Sequence, residues 1–265
     1  MSALTAPHLS QVLKLALQPF APLQRMVDPP SDVHDEILVR ALIFLQRHQK
    51  QAIALFFAAF QDDLHQGMIW ADKSWKNIAH YCRATSIAPK SNLWPTAKEE
   101  ATVYFEKAKY HFTTNIRRSF FFLGSSLHIL QDMAVPHHAR GILLDGHQEF
   151  EKYVKLHLAD LPDPASGWYA SFTTLDDWLI HTARKSSAWF PFVSLAHGAS
   201  ESSFALAANE LFPLAVRTTA GFLVFAFQVL NVLEHTSEPP DFSQTLSSWI
   251  AKLLPSHTKE GVMNG

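Results

Sequence analysis

Apolar residues fall into a helical rhythm at Ile37, Leu38, Ala41, Leu42 and Leu45, three or four apart behind the start signal Ser31-Asp32. The lead-in before it, residues 1–30, is weakly patterned and ends in Asp28-Pro29-Pro30. A second apolar helix is predicted over 53–60. From 67 to 95 the chain is rich in Trp, Asn, Ser and Pro, which predicts loop with one short helical piece. Thr96 and Glu99 make a capping-box pattern behind Pro95, so a long helix starts there. Its pattern runs through Phe112 and Phe122 to about Val135, with a break near 113–115, and Pro136 stops it. Asp145 and Gln148 mark another start, for a helix reaching about Leu161. Further helices are predicted at about 172–190 and 200–234, with a short tail helix at 242–254. There is no internal repeat and no β alternation. The expectation is an all-α protein with a single multi-helix domain over 31–254 and a tail at 255–265.

Composition narrows the chemistry. Of 265 residues, 48% are hydrophobic and 17% charged, enough to bury a sizeable core. The net charge of -2 provides no basic footprint for duplex nucleic acid. A lone Cys82 excludes an intrachain disulfide and a cysteine-rich zinc site. Fifteen histidines are the anomaly, and they direct any metal site toward His and carboxylate ligands. The apolar stretch 220–227 is far below the roughly 20 residues of a membrane span. The N-terminal apolar segment carries Lys14 and Pro19 without a basic n-region, and does not read as a signal peptide.

The histidines that matter cluster in FFLGSSLHILQDMAVPHHARGILLDGHQEFEKY. His128 and Asp132 are four apart, so on a helix they project from one face. His138 follows just beyond the Pro136 stop, where the chain can fold back. His147 and Glu151 are again four apart at the next helix start. Two such pairs around a helix break can hold two metal ions about 3.5–4 Å apart, a spacing that a phosphate oxygen bridges. His137, beside His138, is expected to face outward. His111, His157, His181 and His197 are expected to be structural or exposed.

The string Leu123-Gly124-x-x-Leu127-His128-x-x-x-Asp132-x-x-x-Pro136-x-His138, then Gly146-His147-x-x-Phe150-Glu151, resembles the core of the bacterial zinc-dependent phospholipases C, to which single-strand-specific zinc nucleases are more distantly related. The resemblance spans about 31–234, since Thr219-Ala220-Gly221-Phe222 is similar to the family's final helix. It implies a helical domain binding two zinc ions (Zn2+), with a third site. His128 and Asp132 would serve one zinc, with Asp132 bridging toward the third, and His138, His147 and Glu151 would serve another. Upstream, Gly67-Met-Ile-Trp-Ala-Asp72 followed by His80-Tyr81 fits the family's order. Asp72 and His80 are thereby implied as ligands, Asp72 also handling the attacking water, with His65 the alternative to His80. His34 matches the histidine that binds the third zinc. The family completes that site with an N-terminal Trp, which is absent before His34; processing, a substitute ligand such as Asp28 or Asp32, and an empty third site are the alternatives.

The implied reaction is phosphodiester hydrolysis by metal-activated water, releasing diacylglycerol and a phosphorylated head group from a phospholipid at a membrane surface engaged only transiently. Trp70, Trp75, Phe190 and Phe192 are candidates for an apolar lip, and core packing is the alternative for each. Lys73, beside Asp72, would repel choline and leaves an anionic head group open. Two other functions stay open: a single-strand nuclease or nucleotidase, and a non-catalytic zinc-binding interaction protein. The family resemblance implies export.

Overall fold

The computed structural model describes residues 33–73, 96–165 and 172–232. The predicted lead-in, His80, Trp75 and the tail helix lie outside these residues. Among the described residues every regular element is helical. Helix α1 (Val33–Arg47) buries Ile37, Leu38, Ala41, Leu42, Phe44 and Leu45, the predicted stripe. Asp35 and Glu36 in its first turn and Arg47 in its last suit the helix dipole. After α2 (Gln51–Ala58) comes α3 (Gln61–Asp72). The stretch from 67 to 72, predicted mostly as loop, is therefore helix. Leu64, Gly67, Met68 and Ala71 form a buried stripe at three- and four-residue steps, and this packing overrides the loop-like composition.

The capping box holds. Helix α4 (Ala97–His111) starts at Thr96, whose hydroxyl accepts from the Glu99 N–H while Glu99 accepts from the Thr96 N–H at 2.9 Å. Helix α5 (Ile116–Asp132) follows the expected break, with the Asn115 side chain accepting from the Arg118 N–H at 3.0 Å. Buried almost without interruption from Phe122 to Asp132, α5 packs mainly against α3 and α4.

The α3–α5 crossing is unusually close. A methyl group on Gly67 would stand 1.9 Å from the Phe121 carbonyl oxygen, and one on Gly124 would stand 2.1 Å from that of Leu64. The Ser125 hydroxyl donates to the Gly67 carbonyl at 3.0 Å across the same seam. The two helices run in the same direction, with Asp63 near Arg117 at their starts and Asp72 near His128 at their ends. Two glycines therefore bring the C-terminal end of α3 against the end of α5 that carries His128 and Asp132.

Pro136 does more than stop α5. It occupies the first turn of a new short helix, α6 (Pro136–Arg140), where its missing N–H costs nothing. The Ser186 hydroxyl donates to the Met133 carbonyl at 2.5 Å, fixing the intervening turn. Helix α7 (His147–Leu156) begins two residues after Asp145. Asp145 (φ 70°) and Gly146 (φ 93°) both lie in the left-handed region, so neither is yet helical. A 3₁₀ turn at Leu158–Asp160 completes the segment predicted to reach Leu161. Helices α8 (Leu175–Ser187) and α9 (Phe190–Val193) lead into α10 (Glu201–Val232).

Helix α10 lies at the heart of the molecule and packs on α1, α2, α5, α7, α8 and α9. By length and composition alone it could cross a membrane, but 67% of its most apolar window is buried inside the fold. Phe227 of α10 meets Phe56 of α2 edge-on at 5.1 Å, and Phe60 stacks on Phe120 of α5 at 4.1 Å, joining three helices in one aromatic core.

Candidate metal centre

Among the described residues the structure gathers two triplets of candidate ligands. In the first, His34 comes from the start of α1, while His128 and Asp132 lie one turn apart at the end of α5. The His34 Nε2 is 3.5 Å from Asp132 Oδ1, and the His128 Nε2 is 3.3 Å from Asp132 Oδ2. The two imidazole rings sit 4.2 Å apart. His128 and Asp132 are buried, and His34 is half-buried. Asp72, at the last residue of α3, brings its Oδ1 to 3.9 Å from His128 Nε2, and its side chain is 31% exposed. The glycine crossing places it there.

The second triplet is local. His138 on α6 and His147 and Glu151 on α7 converge on one carboxylate oxygen, Glu151 Oε1, at 3.5 and 2.9 Å. The turn between α6 and α7 is held at both ends. Gly141 (φ 71°) ends α6, with the Ile142 N–H donating to the His137 carbonyl at 2.9 Å. Asp145 then ties the turn to the segment at 194–197: its carboxylate accepts from the Ser194 hydroxyl at 2.5 Å and from the Ala196 N–H at 2.7 Å. A side chain on Gly146 would meet the Val193 carbonyl at 2.3 Å. Backbone geometry on both sides of the turn thus fixes the position of His147.

The charges agree with this arrangement. Desolvation raises the Glu151 carboxyl, but its bonds to the His138 and His147 imidazoles outweigh that and hold it well below the usual carboxylate range. The bonds from Ser194 and Ala196 likewise hold the Asp145 carboxyl low. Each triplet offers two imidazoles and a carboxylate, with donor atoms within 4.8 Å of one another. This donor set suits zinc, which takes His nitrogen and carboxylate oxygen in tetrahedral sites.

Of the predicted residues, His34, Asp72, His128 and Asp132 are brought together, as are His138, His147 and Glu151. His80 lies outside the described residues. Its alternative, His65, pairs with Asp35 at 2.5 Å. The expectation that His137 faces outward is wrong. It is fully buried, stacks on His147 at 5.0 Å, meets Phe190 edge-on and bonds the Asp145 carbonyl through Nε2 at 3.0 Å. Burial pushes its imidazole down to about 4, so it is neutral and donates that bond. Its Nδ1 has no hydrogen-bond partner among the described residues. As lip candidates, Trp70 and Phe190 give way to core packing: Trp70 lies against Tyr104 and Phe121, and Phe190 is buried. Phe192 is 39% exposed.

Sequence reasoning missed Gln131 and Asp145 as supports. Gln131 Oε1 lies 2.8 Å from His34 Nδ1, and nothing in local spacing links positions 34 and 131. For Asp145 a signal existed, since Asp-Gly between two candidate ligands marks a tight turn.

A helical bundle thus presents two imidazole–imidazole–carboxylate triplets, each of which could hold a metal ion. The chain belongs to the zinc-dependent phospholipase C family, whose model matches residues 33–214. No curated protein matches it in sequence. Its fold is similar to that of the alpha-toxin of Clostridium perfringens from avian strain SWCP, with TM-score 0.62 and 14% identity over 77% of this chain and 65% of the toxin. The chain thus spans a little under two thirds of that toxin's length. It is also similar to the alpha-toxin of Clostridium absonum, with TM-score 0.63 and 18% identity over 81% of this chain and 68% of the toxin.

Proposed function

We propose that the protein is a phospholipase C, hydrolysing the phosphodiester of a phospholipid to diacylglycerol and a phosphorylated head group. The observation that carries this reading is the pair of ligand triplets within a chain of this family. His128, Asp132 and His34 would hold one part of a zinc cluster, and His138, His147 and Glu151 would hold another. Zinc bound there would supply Lewis acidity, lowering the pKa of a water toward about 7 and neutralising phosphate oxygens. The chain's own contribution is placement. The buried histidines and Asp132 keep bulk water from the cluster, and Asp72, at its half-exposed edge, accepts the proton of the attacking water. The new bond joins that water oxygen to phosphorus. The bond to the glycerol oxygen breaks, and that oxygen takes up a proton as diacylglycerol leaves. Lys73, exposed beside Asp72, favours an anionic over a quaternary-ammonium head group.

The test is elemental analysis of protein purified without added zinc, followed by assays on phosphatidylglycerol vesicles, phosphatidylcholine vesicles and single-stranded DNA. Two or three zincs per chain with diacylglycerol release supports the proposal. Cleavage of DNA alone would reassign the site to a nuclease. Less than one metal per chain would leave a helical scaffold and overturn the catalytic reading.

A further inference from the structure

One buried polar chain links the first triplet to the central helix. Gln131 is 2% exposed and Thr219, on α10, is fully buried. The Gln131 Nε2 donates to the Thr219 hydroxyl oxygen at 3.3 Å, and its Oε1 accepts from His34 Nδ1 at 2.8 Å. A glutamine amide has two unlike ends, one that only accepts and one that only donates. Which end faces which neighbour fixes where the proton of the imidazole sits.

The Thr219 hydroxyl can play either part, so it suits the amide with Oε1 turned toward His34. An amide oxygen only accepts, so the 2.8 Å contact at Oε1 calls for an N–H on Nδ1, while Nε2 faces Asp132 Oδ1 at 3.5 Å. The proton therefore sits on Nδ1, and the Nε2 lone pair is directed toward the Asp132 carboxylate. A neutral imidazole ligates through its unprotonated nitrogen, and the bond made by the other nitrogen sets which one that is.

We infer that Gln131 is the positioning residue of the first triplet: clamped by Thr219, it holds His34 as the Nδ1–H tautomer and so presents Nε2 as the donor atom. The inference rests on the proposed reading that His34, His128 and Asp132 hold a metal ion. It extends that reading to two residues that contribute no ligand atom. It also explains an amide buried between two polar partners at this point of α5, where an apolar side chain would pack more cheaply.

The experiment compares wild type with Gln131→Leu, Gln131→Glu and Thr219→Val. Zinc affinities are read by competition with a chromogenic chelator, stoichiometry by elemental analysis and the His34 tautomer by imidazole ¹⁵N shifts, with thermal melts confirming folding. Gln131→Leu weakens one zinc by about 10–100-fold, leaves the zinc on His138, His147 and Glu151 unchanged and mixes the His34 tautomers. Gln131→Glu can only accept at His34, so it retains the Nδ1–H tautomer and the affinity. Thr219→Val produces a smaller loss of the same kind. Equal zinc affinities in wild type and Gln131→Leu, with the tautomer unmoved, overturn this inference alone. So does a Gln131→Glu variant as impaired as Gln131→Leu, because the amide would then be donating to His34. A wild-type protein that takes up no zinc overturns the metal reading of the triplet, and this inference with it.

Discussion

The two candidate-ligand triplets offer the same donor groups, two imidazoles and a carboxylate, but are built on opposite plans. The second is written into one short piece of chain, positions 138–151, with two turns and their caps setting its shape. The first assembles across the fold: His34 from α1 and His128 and Asp132 from α5, with Asp72 of α3 beside them and a brace from α10. The local triplet depends on turn chemistry, whereas the long-range triplet depends on how closely helices pack. The same ligand chemistry should therefore fail for different reasons at the two places.

The largest effect is expected at the ligand shared by His34 and His128. Asp132→Ala should empty the first triplet and lower phosphodiester hydrolysis on the order of 10³-fold, through the charge stabilisation that a metal supplies in the transition state. Elemental analysis beside a lipid assay checks this; full activity with one zinc fewer would make the local triplet sufficient on its own.

A packing change at a residue that supplies no ligand atom should distinguish the two plans. Gly124→Ala forces a methyl group against the Leu64 carbonyl, so α3 and α5 must part. The expected cost is about 1–3 kcal/mol of stability, with Asp72 drawn away from His128. One zinc should be lost while the His138, His147 and Glu151 zinc stays, as read by stoichiometry and by thermal melts. If both zincs weaken together, the local triplet is less independent than its geometry indicates.

The smallest effect should come from the turn. Asp145→Asn weakens the bonds to Ser194 and Ala196, and zinc affinity at the second triplet should fall about 10-fold with the first unchanged. The pH dependence has a definite sign. The carboxyl of Asp145 is lower in the folded than in the unfolded protein, so its stabilisation is fully present above its unfolded value of about 3.9. It is lost as pH falls through the lower folded value. Metal-free wild type should therefore melt above Asp145→Asn near neutral pH, and the gap should close in acid. A gap independent of pH would mean that the carboxylate charge contributes nothing.

The same contrast explains what the sequence revealed. Helix periodicity and caps were legible at α1, α4 and α10, because a stripe or a capping box is a local pattern. The second triplet was legible for the same reason, since His147 and Glu151 need only a helix between them. His34 could be paired with α5 only through family resemblance, because no spacing connects the two. Gln131 and Thr219 were illegible, being 88 positions apart and joined by a single contact. His137 was misread because adjacent residues on a regular exposed helix face different ways. On the five-residue α6, wedged against α8 and α9, both neighbours turn inward. Residues 67–72 were misread because a glycine that lets two helices touch has the same letter as one that breaks a helix.

Helix α10, on which so many others lean, comes after every candidate ligand along the chain. During synthesis the residues at 138–151 exist together as soon as the ribosome has passed them, long before the core has its central helix. On the proposed metal reading, the residues of the local triplet would all be present early, whereas the amide that aims His34 would be set only once Thr219 has been made, so an ion at the first triplet would be the later of the two to be held.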